Sequence, residues 1–186
     1  MSDSIERTGE AHELGDQLTV IGRRLQAGES APPFALDCLD TPDGAVVTVS
    51  LADSRGAARL LNVINSIDTP VCHIESKRWE SDIAGLGHGV RVYTISMDLP
   101  FALARWRATE AVTHQLLSAH RDEGFGRDYG VLVKEWRMLQ RAVFVIDGAD
   151  RVVHAEYVAD QMREPDYEAA VAAVEACLSG AGGAAG

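Results

Sequence analysis

The chain is organised around Arg59–Trp79, which reads RLLNVINSIDTPVCHIESKRW. It begins as a short apolar run with the length of a buried parallel strand, passes through a polar turn and then shows the start signals of a helix. Asp68 or Thr69 can cap that helix, and Pro70 suits its first turn because proline lacks the N–H that would be unpaired there. We therefore expect a strand over residues 58–64 that leads directly into a helix beginning at Pro70.

Cys72 falls two residues further into this predicted helix. Unpaired backbone N–H groups and the positive end of the helix dipole favour a negative sulfur there, which raises the fraction of thiol able to attack an electrophile. A free cysteine is otherwise often a small, inert side chain in a core. The chain has three widely spaced cysteines, which form neither a disulfide framework nor a zinc motif. The pattern therefore favours chemistry by a single reduced thiol.

The rest of the chain alternates between strand and helix patterns. Residues 1–11 are polar and patternless, so we expect a mobile leader, and residues 179–186 form a Gly/Ala tail. Residues 12–178 are expected to fold as one domain, which begins with a small β-hairpin around Gly15 and Asp16. Strand, helix, strand, helix and then a terminal hairpin and helix predict an α/β protein. The expected architecture is thioredoxin-like, with a mixed central sheet flanked by helices.

Composition and charge argue against several classes of partner. A chain of 186 residues can bury a core without disulfides or a structural metal. Its net charge of -11 argues against a nucleic-acid or anionic-membrane surface. The sequence has no apolar run of membrane-spanning length and no signal-peptide pattern, and its histidines lack the spacing of a metal site. We therefore expect a cytoplasmic protein without a metal or a cofactor.

Four segments resemble the peroxiredoxins, and more narrowly their thiol peroxidase branch. They are SIDTPVC at 66–72, SMDLPFA at 96–102, RAVFVID at 141–147 and EPDYEAA at 164–170. The likeness extends from about residue 12 to about residue 174. It implies an enzyme, a thiol-dependent peroxidase that reduces hydrogen peroxide and organic hydroperoxides, and the family commonly forms homodimers.

The resemblance also implies roles for three residues of this chain. Cys72 would be the peroxidatic nucleophile, which attacks a hydroperoxide and becomes a sulfenic acid. The Thr69 hydroxyl would hydrogen-bond the thiolate and the bound peroxide, although Thr69 can also be a helix cap alone. Arg141 would stabilise the thiolate and polarise the peroxide, although it could also be a solvated residue at the end of a strand.

Two positions depart from the family pattern. Asn65 stands where the active-site motif usually has proline, and its amide is a candidate to bind substrate or to cap the turn. Arg107 stands where this branch usually has its resolving cysteine. Resolution would then pass to an external thiol, or to Cys38 or Cys177. Cys38 follows the inward phase of its strand, as a core residue would, and Cys177 lies beside an apolar helical face near the chain end.

These observations lead to three hypotheses for the function. In the first, the enzyme is a peroxidase that takes electrons from thioredoxin or a low-molecular-weight thiol. The second, a thiol-disulfide oxidoreductase, is disfavoured because residues 72–75 lack a C-x-x-C pair. The third, prompted by Asn65 and Arg107, is a degenerate peroxidase that senses oxidation or binds a partner without turnover.

Overall fold

The computed structural model describes residues 5–41, 43–84 and 89–181, without the side chains of Cys72, His73, Ile83, Ala84 and Ala181. The strands are β1 Glu6–Glu13, β2 Asp16–Ile21, β3 Ala35–Cys38, β4 Val47–Ser50, β5 Ala58–Val63, β6 Val90–Ser96, β7 Gln115–Ser118, β8 Leu132–Val133, β9 Met138–Leu139, β10 Ala142–Ile146 and β11 Val152–Tyr157. The helices are α1 Pro70–Ala84, α2 Pro100–Glu110, α3 Gly124–Asp128 and α4 Tyr167–Ala181.

A seven-stranded mixed sheet forms the centre of the protein, in the order β11-β10-β5-β6-β7-β3-β4. Strands β5, β6 and β7 run parallel, whereas β10 pairs antiparallel with β5. All six residues of β5 are buried, as expected for a strand covered on both faces. The predicted mixed sheet flanked by helices is confirmed.

Two apolar clusters cover the opposite faces of this sheet. Because side chains alternate along a strand, Leu61 and Val63 of β5 belong to one cluster, whereas Leu60 joins the cluster beneath α1 and α4. In the second cluster, Trp79 of α1 packs against Tyr167 of α4 with ring centroids 4.8 Å apart. This packing holds α1, and therefore its first turn, against the sheet.

A second sheet, in the order β1-β2-β8-β9, was not predicted in full. Strands β8 and β9 have two residues each, too short to show a period of two. The predicted hairpin is present, with its turn centred on Leu14 and Gly15, both at positive φ. Its first strand begins at Glu6, so the expectation of a mobile leader was wrong for residues 6–11. That strand is largely polar and showed no apolar alternation.

The C-terminal boundary also differs from the expectation. Residues 179–181, placed in the Gly/Ala tail, are the last residues of α4. The glycine-rich stretch at residues 85–89 predicts the end of α1, and residues 85–88 of it lie outside the described residues, as do residues 1–4 and 182–186. Among the described helices, none is long and apolar enough to cross a membrane.

Candidate active site

The loop between β5 and α1 is held in place by one carboxylate. Asp98, which follows β6, accepts hydrogen bonds from the Ser66 hydroxyl at 2.9 Å and from the Ile67 N–H at 3.0 Å. It also accepts one from the Ser96 hydroxyl at 2.8 Å. Because β5 and β6 are parallel, both strands deliver these groups to the same edge of the sheet. The carboxylate therefore fixes the backbone that leads into α1.

Thr69 closes this loop immediately before the helix. Its hydroxyl donates to the Ser66 carbonyl at 3.0 Å, so its hydrogen is used locally while its oxygen can still accept. Cys72 lies in the first turn of α1, as predicted, and its side chain lies outside the described part of the structure.

Arg141 precedes β10, next to the carboxyl end of β5, because Ala142 pairs with Val63. Its side chain is 1% exposed, which argues against a solvated residue at a strand end. The guanidinium forms an ion pair with Glu75, which is fully buried, and its Nη2 donates to the Gln161 carbonyl at 3.0 Å. Burial raises the pKa of Glu75 to about 7, while the charge of Arg141 opposes that rise.

Glu75 was missed by the sequence reasoning. It lies three residues after Cys72, about one helical turn further along α1. That spacing was the available signal, but a glutamate on a helix is usually solvated. The contact with Arg141 joins positions 66 residues apart and could not be read from local pattern.

Asn65 is buried beside Arg141. Its Nδ2 donates to the Leu139 carbonyl at 2.6 Å and to Gln161 Oε1 at 3.0 Å, and its Oδ1 lies 3.4 Å from Arg141 Nη2. Both amide hydrogens therefore have partners within the protein.

A cavity of about 320 Å³, which we call the Arg141 cavity, opens in front of these groups. Its apolar lining includes Val71, Trp136, Met138 and Met162, and its polar lining includes Thr69 and Arg141; Glu13, Asn65, Pro70 and Gln161 complete it. The first turn of α1 thus forms part of the wall. A buried permanent cation beside a helix start can stabilise negative charge that develops inside this space.

The two other cysteines are free thiols that the structure places away from the Arg141 cavity. Cys38 is buried in β3, and burial together with Asp40 raises the pKa of its thiol to about 11. Cys177, on α4, is half-buried, and burial raises its pKa. It lines a separate cavity of about 480 Å³ with Asp147 and Gly148, at the opposite end of the sheet from the start of α1.

Arg107 occupies the last turn of α2. Its Nε donates to the Val112 carbonyl at 3.2 Å and its Nη2 to the Thr113 carbonyl at 2.7 Å. Its Nη1 lies 3.4 Å from an Asp40 carboxylate oxygen. The side chain therefore ties the end of α2 to the following loop, which is a structural use of the position.

This fold and site define a thioredoxin-like protein with one cysteine in the first turn of a helix beside a buried arginine. A model described as the AhpC/TSA family matches residues 27–155, and the chain belongs to this family, the peroxiredoxins.

Similar proteins agree with this assignment. The chain is 42% identical over 165 residues to the thiol peroxidase of Halalkalibacterium halodurans, covering 88% of this chain and 96% of that protein. It is 41% identical to the thiol peroxidase of Bacillus subtilis, with 88% and 95% covered. A peroxiredoxin-like protein from Aquifex aeolicus matches with a TM-score of 0.79 at 30% identity, covering 94% of this chain and 98% of that one. A thiol peroxidase from Chromobacterium violaceum, at 22% identity, shares the fold with a TM-score of 0.77, covering 91% and 95%.

Proposed function

We propose that this peroxiredoxin is a thiol-dependent peroxidase that reduces hydrogen peroxide and organic hydroperoxides through Cys72. The observation that carries the proposal is the burial of the Arg141 guanidinium in the wall of a cavity that also contains the start of α1. A cation shielded from solvent there stabilises both the thiolate and the negative charge that develops on the leaving oxygen. The apolar part of the lining can accept the organic portion of an alkyl hydroperoxide.

The reaction assigns one role to each residue. The Cys72 thiolate attacks the distal oxygen of R–O–OH, the O–O bond breaks, and the products are a sulfenic acid on Cys72 and the alkoxide R–O⁻. The alkoxide takes a proton from solvent to become the alcohol, or water when the substrate is hydrogen peroxide. Arg141 stabilises the negative charge on both sulfur and leaving oxygen, and the Thr69 oxygen accepts the hydrogen of the incoming hydroperoxide.

The sulfenic acid is resolved by an outside thiol, either thioredoxin or a small thiol. One thiol condenses with it to release water and form a mixed disulfide, and a second thiol then restores Cys72. The raised thiol pKa of Cys38 and the remote position of Cys177 support this one-cysteine cycle. Arg107 supports it too, because an arginine cannot resolve a sulfenic acid and its hydrogen bonds instead connect α2 to the following loop.

The decisive experiment treats the reduced protein with one equivalent of cumene hydroperoxide, with and without a sulfenic-acid trap, and measures intact and peptide masses. A trapped adduct on Cys72 is expected, and Cys72→Ser is the control. Steady consumption of peroxide with thioredoxin or dithiothreitol would exclude a sensor without turnover. A folded protein that shows no change at Cys72 would overturn the proposal.

Two further properties belong to the same proposal. A homodimer is the common assembly of the family, and Leu99 and Phe101 at the start of α2, 54% and 58% exposed, are apolar side chains that a partner copy can cover. A cytoplasmic location fits a cycle that depends on reduced thiols. Light scattering on the wild-type protein and on Phe101→Asp tests the first property, with a monomer expected for the variant.

A further inference from the structure

Two buried amides contact Arg141 in the lining of the Arg141 cavity, and the chemistry above assigns them no role. Gln161 Oε1 accepts the Arg141 backbone N–H at 2.8 Å and Asn65 Nδ2 at 3.0 Å. The Gln161 backbone carbonyl accepts Arg141 Nη2 at 3.0 Å. Gln161 therefore holds both the backbone and the guanidinium of Arg141, and Asn65 is bonded to the same amide oxygen.

Backbone partners fix the orientation of both amides. The Leu139 carbonyl can only accept, so the nitrogen of Asn65 must face it at 2.6 Å. The Val158 carbonyl likewise requires the nitrogen of Gln161, which lies 2.7 Å away. Asn65 cannot donate to a peroxide without giving up one of its two bonds, which disfavours the sequence-based suggestion that its amide binds substrate.

The N-terminal hairpin holds Gln161 in turn. The Gln161 backbone N–H donates to the His12 carbonyl at 3.0 Å, and the His12 N–H donates to the Ala159 carbonyl at 2.8 Å. The family model matches residues 27–155, so both the hairpin and Gln161 lie outside the matched region. The segment that carries Gln161 thus contacts Arg141 directly, and the hairpin contacts that segment.

We propose that Asn65 and Gln161 are positioning residues, an amide pair that orients Arg141 in the wall of the cavity. Asn65 stands where the family usually has a proline, and its partner Gln161 is held in turn by a hydrogen bond to the hairpin. This inference rests on the proposed function, in which Arg141 stabilises the Cys72 thiolate. Loss of the pair leaves Arg141 free to turn towards other acceptors and weakens that stabilisation.

The test compares Asn65→Ala, Gln161→Met and their double variant with Gln140→Met as a matched control. Gln140 is also buried and donates to the same Val158 carbonyl at 3.0 Å, but no hydrogen bond described for its side chain involves Arg141. Two quantities are measured: the rate of Cys72 oxidation by hydrogen peroxide, and the pH midpoint of Cys72 alkylation by iodoacetamide. Circular dichroism checks the fold, and Asn65→Ser replaces Asn65→Ala if the latter does not fold.

Each single variant should slow oxidation about tenfold and move the alkylation midpoint to higher pH, because a misplaced cation stabilises the thiolate less. The double variant should be no slower than the worse single variant, since both act through Arg141. Gln140→Met should keep the wild-type rate and midpoint.

Folded Asn65 and Gln161 variants with the wild-type midpoint would overturn the inference. Equal losses in Gln140→Met would also overturn it, because they would indicate general packing. If wild-type Cys72 is not oxidised by peroxide, the proposed function fails on its own, and the alkylation midpoints still decide whether the pair positions Arg141.

Discussion

Two arginines are buried at opposite ends of the same pair of strands. Arg59 is the second residue of β5 and lies opposite Ile146 of β10, whereas Arg141 comes just before β10 and beyond Val63 of β5. About five residues of strand, roughly 16 Å, separate the two ends. Both side chains are almost completely buried, at 0% and 1% exposure.

Their surroundings differ. Arg59 donates to the Ala57 carbonyl at 2.6 Å and pairs with Asp150, whose side chain is 20% exposed and also binds Arg55. Arg141 pairs with a fully buried Glu75 and lines the Arg141 cavity beside the start of a helix. Burial of a cation is therefore not a sign of a site by itself. The combination of a buried cation, a cavity and a helix start distinguishes the functional end of the sheet from the structural end.

The largest effect is expected when each arginine is replaced by lysine. Arg141→Lys keeps a charge but loses the planar set of donors, so Cys72 oxidation should slow about 100-fold. Arg59→Lys should lower stability and leave the rate per folded molecule unchanged. Stopped-flow oxidation with hydrogen peroxide and urea unfolding measure the two quantities. Equal rate losses in both variants would show that the two ends do not differ in function.

Glu75, the carboxylate partner of Arg141, should make the stability of the protein depend on pH. Glu75 has a pKa raised from its ordinary 4.5 to about 7, chiefly by burial, so between these values the folded state holds a proton that the unfolded state has lost. Stability should therefore fall as pH rises through this window, on the order of 2 to 3 kcal/mol relative to Glu75→Gln, which has no proton to lose. Urea unfolding at pH 5, 6 and 7.5 measures this difference.

Glu80 is the control on the same helix. A hydrogen bond with His114, and further ones from Thr113, lower its pKa to about 2. The wild type should therefore lose stability relative to Glu80→Gln as pH falls below about 4.5, the opposite direction. If the wild type instead gains stability relative to Glu75→Gln between pH 5 and 7.5, the ion pair outweighs burial and this account of Glu75 is wrong.

Local pattern predicted the part of the site that lies within one segment. The apolar run of β5, Pro70 and the position of Cys72 are all readable within residues 58–72, and each element is present. The partners of Arg141 come from other segments. The only local signal for Glu75 was its spacing from Cys72, and Gln161 carries none, because their contacts with Arg141 depend on how the sheet brings distant segments together. Strands β8 and β9 could not be predicted for the same reason, because each has two residues and is defined only by its pairing with a neighbouring strand.

An aspartate organises a loop at each end of the sheet, which allows a smaller comparison. Asp98 accepts from Ser66, Ile67 and Ser96, whereas Asp147 accepts the Ala149 and Arg151 N–H groups at 2.9 Å. Asp98→Asn places an NH₂ group against those donors, so the loop before α1 should loosen and Cys72 oxidation should slow about tenfold. Asp147→Asn should leave the rate unchanged. A wild-type rate for a folded Asp98→Asn would show that the loop needs no such anchor.

The smallest effect is expected from the two cysteines outside the cavity. Cys177 lies near Asp147, at the structural end, and the Cys38 thiol has a pKa of about 11, so neither is placed or activated to attack a sulfenic acid on Cys72. Cys38→Ser and Cys177→Ser should therefore turn over peroxide with dithiothreitol at the wild-type rate. Peptide mass analysis under non-reducing conditions after peroxide treatment shows directly whether Cys72 forms a disulfide with either cysteine. A disulfide between Cys72 and Cys177 would contradict this prediction. It would show that a movement of α1 or α4 brings the two thiols together and that Cys177 is the resolving cysteine.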